Sequence, residues 1–188
     1  MSIILASKSP RRKELLGLLD LEFQIITANI DETMDPNRSV IDEVARISHQ
    51  KALAVAKDLP LDTVIISADT IVELDGKLMG KPKDENDAFK MLKNLSGCTH
   101  NVHTAVTVTR DDKTITKVVT TAVTFRDITD DEIISYIKTG DPMDKAGAYG
   151  IQGKASKFVS GICGDYFNVV GLPVCELNLI LKKFGINH

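Results

Sequence analysis

The sequence predicts an α/β protein, because helical and strand patterns alternate along almost its whole length. Short apolar runs rich in Ile and Val indicate buried strands, and amphipathic stretches lie between them. No internal repeat, low-complexity segment or linker rich in Pro, Gly and Ser interrupts the pattern. At 188 residues the chain is long enough to bury a sizeable core, so we expect residues 1–188 to form a single domain with two lobes at most.

The first predicted elements are a strand, a turn rich in hydroxyl groups and a helix. Ser9 followed by Pro10 is typical of a helix start, because serine caps a helix N-terminus and proline suits the first helical position. Ser39 is a second candidate N-cap, and it follows a polar loop at 28–38. Up to residue 59 the sequence therefore predicts a strand at 3–6, a helix from Pro10, a strand at 22–27 and a helix from Ser39 to near Leu59.

The remainder of the chain predicts a hairpin, two paired strands and further helices. Asp75-Gly76 is a typical hairpin turn, and Gly97 follows a stretch whose apolar residues share one helical face. The predicted strands are 63–74, 77–79, 102–109, 115–125 and one near Phe158, with a turn at 110–113. The predicted helices are 84–95, 130–138 and 173–184, and a glycine-rich segment occupies 140–153.

Composition excludes several functional classes. Hydrophobic residues make up 43% and charged residues 26% of the chain, and the formal net charge is −3. A general attraction to nucleic acid or to an anionic membrane is therefore not expected. The first apolar run is too short for a signal peptide, and no run reaches membrane-spanning length, so we expect a cytoplasmic protein. Three widely spaced cysteines without a CxxC pair predict buried free thiols and no zinc site.

The turn before the first helix has the chemistry of a phosphate site. Arg11 and Arg12 lie in the first helical turn, where the positive end of the helix dipole disfavours cations. Two arginines there make sense mainly if an anion binds beside them, and the backbone N–H groups of the same turn point outward toward such an anion. The alternative is an ordinary capped helix with solvated arginines.

Two charged residues fall where the pattern predicts burial. On a helical projection Lys51 lies within the apolar stripe of the helix after Ser39, whereas Arg46 falls on the opposite face. Asp69 is the only ionisable residue between positions 63 and 72 of a buried strand. Lys51 then needs an anion, and Asp69 needs a cation, a metal or several donors, or it becomes a candidate general base. The alternatives are a lysine whose amine reaches water and a structural carboxylate that caps a backbone turn.

Two glycine-containing segments are candidate ligand loops. The hairpin at 76–83 carries three lysines, including Lys81, which either reach an anion or are simply solvated. The segment 144–153 carries three glycines, which permit close backbone approach to a flat or charged ligand, and its Gln152 can pair with a planar base edge. This segment lacks the GxGxxG pattern of a dinucleotide site, and the alternative is a flexible surface loop.

Six segments spread over nearly the whole chain combine into one pattern. They are Leu5-Ala6-Ser7 with Ser9-Pro10-Arg11-Arg12, Ala68-Asp69-Thr70, Gly80-Lys81-Pro82, Leu95-Ser96-Gly97, Asp144-Lys145-Ala146-Gly147-Ala148-Tyr149-Gly150-Ile151-Gln152-Gly153, and Val170-Gly171-Leu172-Pro173. In number, order and spacing they resemble the Maf family of nucleoside triphosphate pyrophosphatases. The resemblance implies hydrolysis between the α and β phosphates, to a nucleoside monophosphate and pyrophosphate, with a divalent cation, Mg²⁺ or Mn²⁺. It also implies a homodimer and an elongated, two-lobed, mixed-sheet α/β fold like that of inosine triphosphate pyrophosphatase, with the active site in the central cleft.

Within that family the sequence resembles the branch that acts on dTTP and UTP. That branch carries Arg, Thr and Gln where this chain has Arg11, Thr70 and Gln152, whereas the branch favouring 7-methylguanosine triphosphate has Trp, Gln and Glu. The chemistry agrees, because an amide can both donate to a carbonyl and accept from the N3–H of uracil or thymine. CTP and modified pyrimidine nucleotides remain open as substrates.

These considerations give a set of expected site residues. We expect Asp69 to accept a proton from the water that attacks the α-phosphorus, and Glu32 to join Asp69 as a ligand of Mg²⁺ or Mn²⁺. A solvated loop acid is the alternative for Glu32. The expected substrate-binding residues are Ser7, Arg11, Arg12, Lys51, Thr70, Lys81 and Gln152.

Two other functions compete with this hypothesis. One is a nucleotide-binding regulator of septum formation and cell division with little catalytic role. A buried Asp69 argues against it, because an unmetallated carboxylate hinders the binding of a polyanion. The other is a nucleic-acid-binding protein, which the acidic balance and the lack of a basic or aromatic stripe disfavour.

Overall fold

The α/β class and the mixed sheet are confirmed by the computed structural model, which describes residues 2–35 and 38–187. The strands in these residues are β1 (Ile3–Leu5), β2 (Gln24–Ile25), β3 (Val64–Leu74), β4 (Lys77–Met79), β5 (Thr99–Arg110), β6 (Lys113–Phe125) and β7 (Val159–Cys163). The helices are α1 (Pro10–Gly17), α2 (Val40–Ala56), α3 (Glu85–Leu95), α4 (Asp130–Ile137), α5 (Tyr166–Val170) and α6 (Val174–Lys183). The sheet has the strand order β2-β1-β3-β5-β6-β7, and β4 pairs with β3.

The chain divides into two compact units, and the first contains the described residues up to Asp69, Thr104–Val119 and those from Gly171 onward. In this unit β1 lies between β2 and β3 and is parallel to both. All three residues of β1 are buried, as expected for a parallel strand covered on both faces. A core cluster joins β1, α2 and β3, and its members are Ile4, Ala6, Ala52, Val55 and Ile65.

The helix starts of this unit follow the predicted pattern with one correction. Ser39 caps α2 by accepting a hydrogen bond from the Asp42 N–H, as predicted. Ser9 also occupies the N-cap position of α1, but its side chain makes no capping hydrogen bond. The predicted strand at 22–27 is only two residues long, and α2 ends at Ala56 rather than near residue 59.

The second unit contains Thr70–His103 and Thr120–Val170. Its hairpin between β3 and β4 turns at Asp75 and Gly76, both at positive φ, as the Asp-Gly pair predicts. Helix α4 begins at a capping box in which Thr129 and Glu132 bond each other's backbone N–H groups. Buried rings in edge-on contact fill the centre of the unit, namely His100, Phe125, Tyr136, Tyr149 and Phe158.

The glycine-rich segment is built against the sheet rather than looping freely over the surface. It contains two short 3₁₀ turns, at Asp141–Asp144 and Ala146–Ala148, and a third follows it at Lys154–Phe158. Gly147 has φ +66, and a Cβ placed on it would lie 2.9 Å from Cγ2 of Val72. A glycine is therefore required at this position by packing against β3, without any ligand.

The C-terminal part contains one element that the sequence pattern did not predict. Helix α5 forms after Asp165, whose carboxylate accepts hydrogen bonds from the N–H groups of Phe167 and Asn168. The predicted last helix is present as α6. The cysteines are free, but Cys163 and Cys175 are exposed rather than buried. Among the described residues, no helix is long and apolar enough to cross a membrane.

Candidate active site

The turn between β1 and α1 is organised around the hydroxyl of Ser7. Ser7 is 7% exposed, and its Oγ accepts hydrogen bonds from the Ser9 N–H at 3.2 Å and from Arg12 Nη1 at 3.4 Å. The turn therefore places a buried hydroxyl and a guanidinium side by side at the start of α1.

Arg12 is fixed by distant parts of the first unit. Its Nε donates to the carbonyl oxygen of Gly171 at 2.8 Å. Burial lowers the pKa of the Arg12 guanidinium, whereas the negative charges of Asp69 and Glu32 act in the opposite direction. The direction of the Arg12 side chain is thus set by the protein itself. The neighbouring Arg11 is half-buried.

Lys51 joins two carboxylates, as its place in an apolar stripe predicts. Its Nζ donates to Asp69 Oδ1 at 2.7 Å and lies 3.1 Å from Glu32 Oε1. The side chains of Lys51 and Asp69 are 16% and 11% exposed, whereas that of Glu32 is 52% exposed. The lysine comes from α2, Asp69 from β3 and Glu32 from the loop after β2. Three separate elements therefore meet in one charge cluster.

The two carboxylates fit a divalent cation that is shared with a phosphate. Mg²⁺ is commonly held by one or two protein carboxylates together with water and substrate oxygens. Asp69 and Glu32 supply two such carboxylates around one point, Lys51 Nζ. No group of three or more His, Cys, Asp or Glu suited to a metal occurs in the residues that the structure describes.

The other expected site residues belong to the second unit. Thr70 follows Asp69 directly in β3, so by strand alternation its side chain points to the opposite face of the sheet. Lys81 and Gln152 are both exposed. Their segments are linked, because the N–H of Gly147 donates to the carbonyl of Gly80 at 3.1 Å.

The segment that carries Gln152 is braced by its own charged residues. Lys145 Nζ binds Asp141 Oδ1 at 3.0 Å and Asp144 Oδ1 at 2.7 Å. A Cβ on Gly150 would lie 2.6 Å from Lys145 Cε, and one on Gly153 would lie 2.9 Å from Asp141 Oδ2. The side chains of Lys145 and Asp141 thus lie directly against the backbone of Gly150 and Gly153, on either side of Gln152.

Sequence reasoning missed a second ion pair on α2. Glu43 is fully buried, and both of its carboxylate oxygens accept from Arg46, at 2.9 Å from Nε and 2.7 Å from Nη2. These bonds lower the pKa of Glu43 to about 2. The helical projection assigned Arg46 to the polar face, and the signal that could have found the pair is the i, i+3 spacing of Glu43 and Arg46.

The fold and this charge cluster define a class, the α/β proteins that bind phosphate groups. A serine–arginine turn follows the parallel strand β1, and Lys51 of α2 bridges Asp69 of β3 and Glu32. The family model described as Maf-like protein matches residues 2–184. The chain belongs to this family.

Curated relatives align over nearly the full length of the chain. A dTTP/UTP pyrophosphatase of Thermoanaerobacter sp. (strain X514) is 48% identical over 188 residues, covering 97% of this chain and 96% of the relative. A dTTP/UTP pyrophosphatase of Bacillus cereus (strain AH187) is 49% identical over 185 residues, covering 98% and 96%. The match to a solved nucleoside-triphosphatase / dITP/XTP pyrophosphatase of Mycobacterium abscessus covers 98% of this chain and 95% of the solved chain. The two are 11% identical, and the TM-score is 0.46. A likeness at that TM-score supports no conclusion about this chain.

Proposed function

We propose that the protein is a nucleoside triphosphate pyrophosphatase that hydrolyses dTTP and UTP to the monophosphate and pyrophosphate. The observation that carries the proposal is the bridge from Lys51 to Asp69 and Glu32 in a chain about half identical to relatives with that activity in their names. A cytoplasmic location and a homodimer remain predictions of the sequence.

The triphosphate would be held mainly by positive charge. Ser7, Arg11 and Arg12 lie in one turn at the start of α1, where backbone N–H groups and guanidinium groups both favour phosphate oxygens. Lys51, and Lys81 from the loop after β4, would add two ammonium groups. Phosphoryl transfer needs this kind of positioning and charge neutralisation more than covalent help from the protein.

Asp69 is the proposed general base. Lys51 donates to its Oδ1, so Oδ2 would take the proton of the attacking water. Because Asp69 sits on a rigid central strand and is held by Lys51, its position is fixed before substrate arrives. A fixed base removes the need to reorganise the site in the transition state.

Glu32 and Asp69 are the residues that would hold Mg²⁺ or Mn²⁺. When bound, such a cation supplies neutralisation of the developing charge on the phosphate oxygens. Lys51 would then exchange part of its contact with the two carboxylates for contact with phosphate. The positive charge of the cation would then take the place of Lys51 beside the two carboxylates, and the positive charge of Lys51 would neutralise phosphate.

Gln152 and Thr70 are the proposed contacts to the pyrimidine. The amide of Gln152 both donates and accepts, which matches the alternating O4 and N3–H edge of uracil and thymine. The paired side chains of Lys145 and Asp141 lie against the backbone on both sides of Gln152. A side chain on an ordered segment discriminates better between bases, because less ordering of the loop and side chain is needed when the nucleotide binds.

A panel of nucleoside triphosphates assayed with Mg²⁺ or Mn²⁺ tests the proposal. The expected products are pyrophosphate and the nucleoside monophosphate, with dTTP and UTP among the best substrates. Release of orthophosphate instead would contradict cleavage between the α and β phosphates. Tight nucleotide binding with no product release would favour the regulatory function over the enzymatic one.

A further inference from the structure

The buried pair Glu43 and Arg46 plays no part in the function proposed above. Glu43 is 0% exposed and the Arg46 side chain 21% exposed, and the two share a bidentate contact. A buried ion pair contributes little net stability, because desolvation offsets the attraction between the charges. Its presence in α2 is therefore better explained by what else the pair holds.

Both members of the pair bind the backbone of the loop that follows β2. Arg46 Nη2 donates to the carbonyl of Thr33 at 2.9 Å, and Glu43 Oε2 accepts from the N–H of Asp35 at 3.0 Å. Residues 26–35 form neither helix nor strand, so these bonds replace the regular backbone pairing that the segment lacks. The contacted carbonyl belongs to the residue directly after Glu32.

Helix α2 thus holds this loop at two places. Lys51 binds the side chain of Glu32, and the Glu43–Arg46 pair binds the backbone just beyond it. Glu32 is 52% exposed, so burial does not hold its side chain in place. Its distance from Asp69 therefore depends on the backbone anchor as well as on Lys51.

We propose that Glu43 and Arg46 are positioning residues that hold Glu32 beside Lys51 and Asp69. The inference rests on the proposed function, because it assigns the pair to the carboxylate cluster of that site. The pair does not touch the substrate; it acts through Glu32. Loss of the anchor leaves Glu32 on a loosened loop and lowers turnover.

A double-mutant cycle with Glu32 tests this route. Arg46→Met is expected to lower kcat about 10–100-fold, the usual effect of removing a group that orients a metal-binding or catalytic side chain. In a Glu32→Gln background the same change is expected to cost little more, because the residue through which Arg46 acts is already lost. Arg46→Lys keeps the positive charge and can donate to one of the two anchored groups, so it should retain more activity than Arg46→Met.

The matched control is Arg126→Met. Arg126 makes a bidentate contact with Glu132 at 2.6 and 3.0 Å, the same chemistry in the second unit. This variant is expected to keep its kcat. Equal losses in Arg46→Met and Arg126→Met, or losses that multiply in the Glu32→Gln background, would overturn the proposal.

A second readout does not depend on activity. Amide hydrogen exchange of Asp35, whose N–H is bonded to Glu43, should quicken in Arg46→Met and stay unchanged in Arg126→Met. Because Arg46→Met leaves the buried Glu43 carboxylate with Arg38, whose Nε lies 3.5 Å from Oε1, as its remaining cationic partner and can unfold the chain, the double variant Glu43→Gln with Arg46→Gln is measured beside it. Unchanged exchange at Asp35 in the folded variants would refute the anchor, whereas a wild-type protein that releases no pyrophosphate would refute the proposed function alone.

Discussion

At the scale of single residues, Lys51 sets the electrostatics of the candidate site. One ammonium is shared by two carboxylates, so the three groups together carry a net charge of −1 when all are ionised. Arg11 and Arg12 at the start of α1 offset this charge. In the proposed function, the approach of a far more negative triphosphate to Asp69 would depend on both arginines and on a cation.

Asp69→Asn is expected to lower kcat by ~10²–10⁴, the usual contribution of a general base, while the fold and much of the nucleotide affinity persist. The amide has nearly the shape of the carboxylate but accepts no proton at neutral pH. Steady-state kinetics with UTP, together with a direct binding measurement, checks this expectation. Turnover near that of the wild type would remove Asp69 from the role of base.

Gln152→Glu is expected to lower kcat/KM for UTP relative to a guanine triphosphate, because an ionised carboxylate cannot donate to the pyrimidine carbonyl. A mismatched hydrogen-bonding site can cost ~10⁴-fold in the strongest cases, and the exposure of Gln152 makes the effect smaller. The control is Gln24→Glu, the same change in charge on exposed β2. An unchanged UTP-to-guanine ratio would show that Gln152 does not contact the base.

A site residue can be predicted from the sequence when a local pattern marks it, and it cannot when its environment is formed by a distant segment. Lys51 and Asp69 could be singled out because each is charged within a local apolar pattern, and the structure pairs the two with each other, which the sequence did not specify. Glu43 could not, because its burial depends on a loop whose path no short pattern specifies. The roles of the substrate-binding residues stay predictions until the variants are measured.

At the scale of elements, the contact between the glycine-rich segment and β3 leaves no room for a side chain. Gly147 combines a left-handed backbone with contact to Val72. Gly147→Ala should therefore lower the free energy of unfolding by roughly 2–5 kcal/mol, the sum of a left-handed backbone penalty and overpacking. Urea denaturation measures the difference.

Gly76→Ala serves as the matched control for that substitution. Gly76 has φ +76, but a Cβ there would meet nothing within 4 Å, so only the backbone penalty of roughly 1–2 kcal/mol applies. Adding Val72→Ala to Gly147→Ala should recover part of the overpacking loss. Equal destabilisation by the two alanines would contradict the packing explanation.

The elements themselves were predicted most accurately where patterns are long. Strand β3 and helix α3 match their predicted bounds within a residue, because each carries a continuous apolar pattern and a clear stop signal. Strand β2 is shorter than predicted, and α5 was missed. Both elements are too short to show a helical or strand periodicity in the sequence, so their formation and length depend on tertiary contacts.

At the scale of the whole molecule, stability should depend on pH through His100. Burial lowers the pKa of His100 from 6.5 to about 4, and its ring lies against Phe125 and Tyr149. Between these two values the unfolded chain binds a proton that the folded chain does not. Stability therefore falls as the pH drops from 6.5 to 4, by at most about 3 kcal/mol in total.

Urea unfolding at several pH values between 6.5 and 4.5 measures this slope. Glu43, whose pKa is about 2, loses its stabilising charge only below its ordinary value of 4.5, so it does not contribute in that window. His100→Gln should flatten the slope, although the variant is less stable at neutral pH because the ring packing is lost. Parallel slopes in wild type and variant would refute the role of His100.

The hydrogen bond from Arg12 to the Gly171 carbonyl joins groups 159 residues apart. A ribosome adds about 5–20 residues per second, so Arg12 emerges roughly 8–30 s before its partner is made. During that interval the serine–arginine turn exists without the acceptor that orients its guanidinium. Nascent chains that stall before Gly171 should therefore leave cellular nucleoside triphosphates intact, and catalytic competence would arrive late in translation.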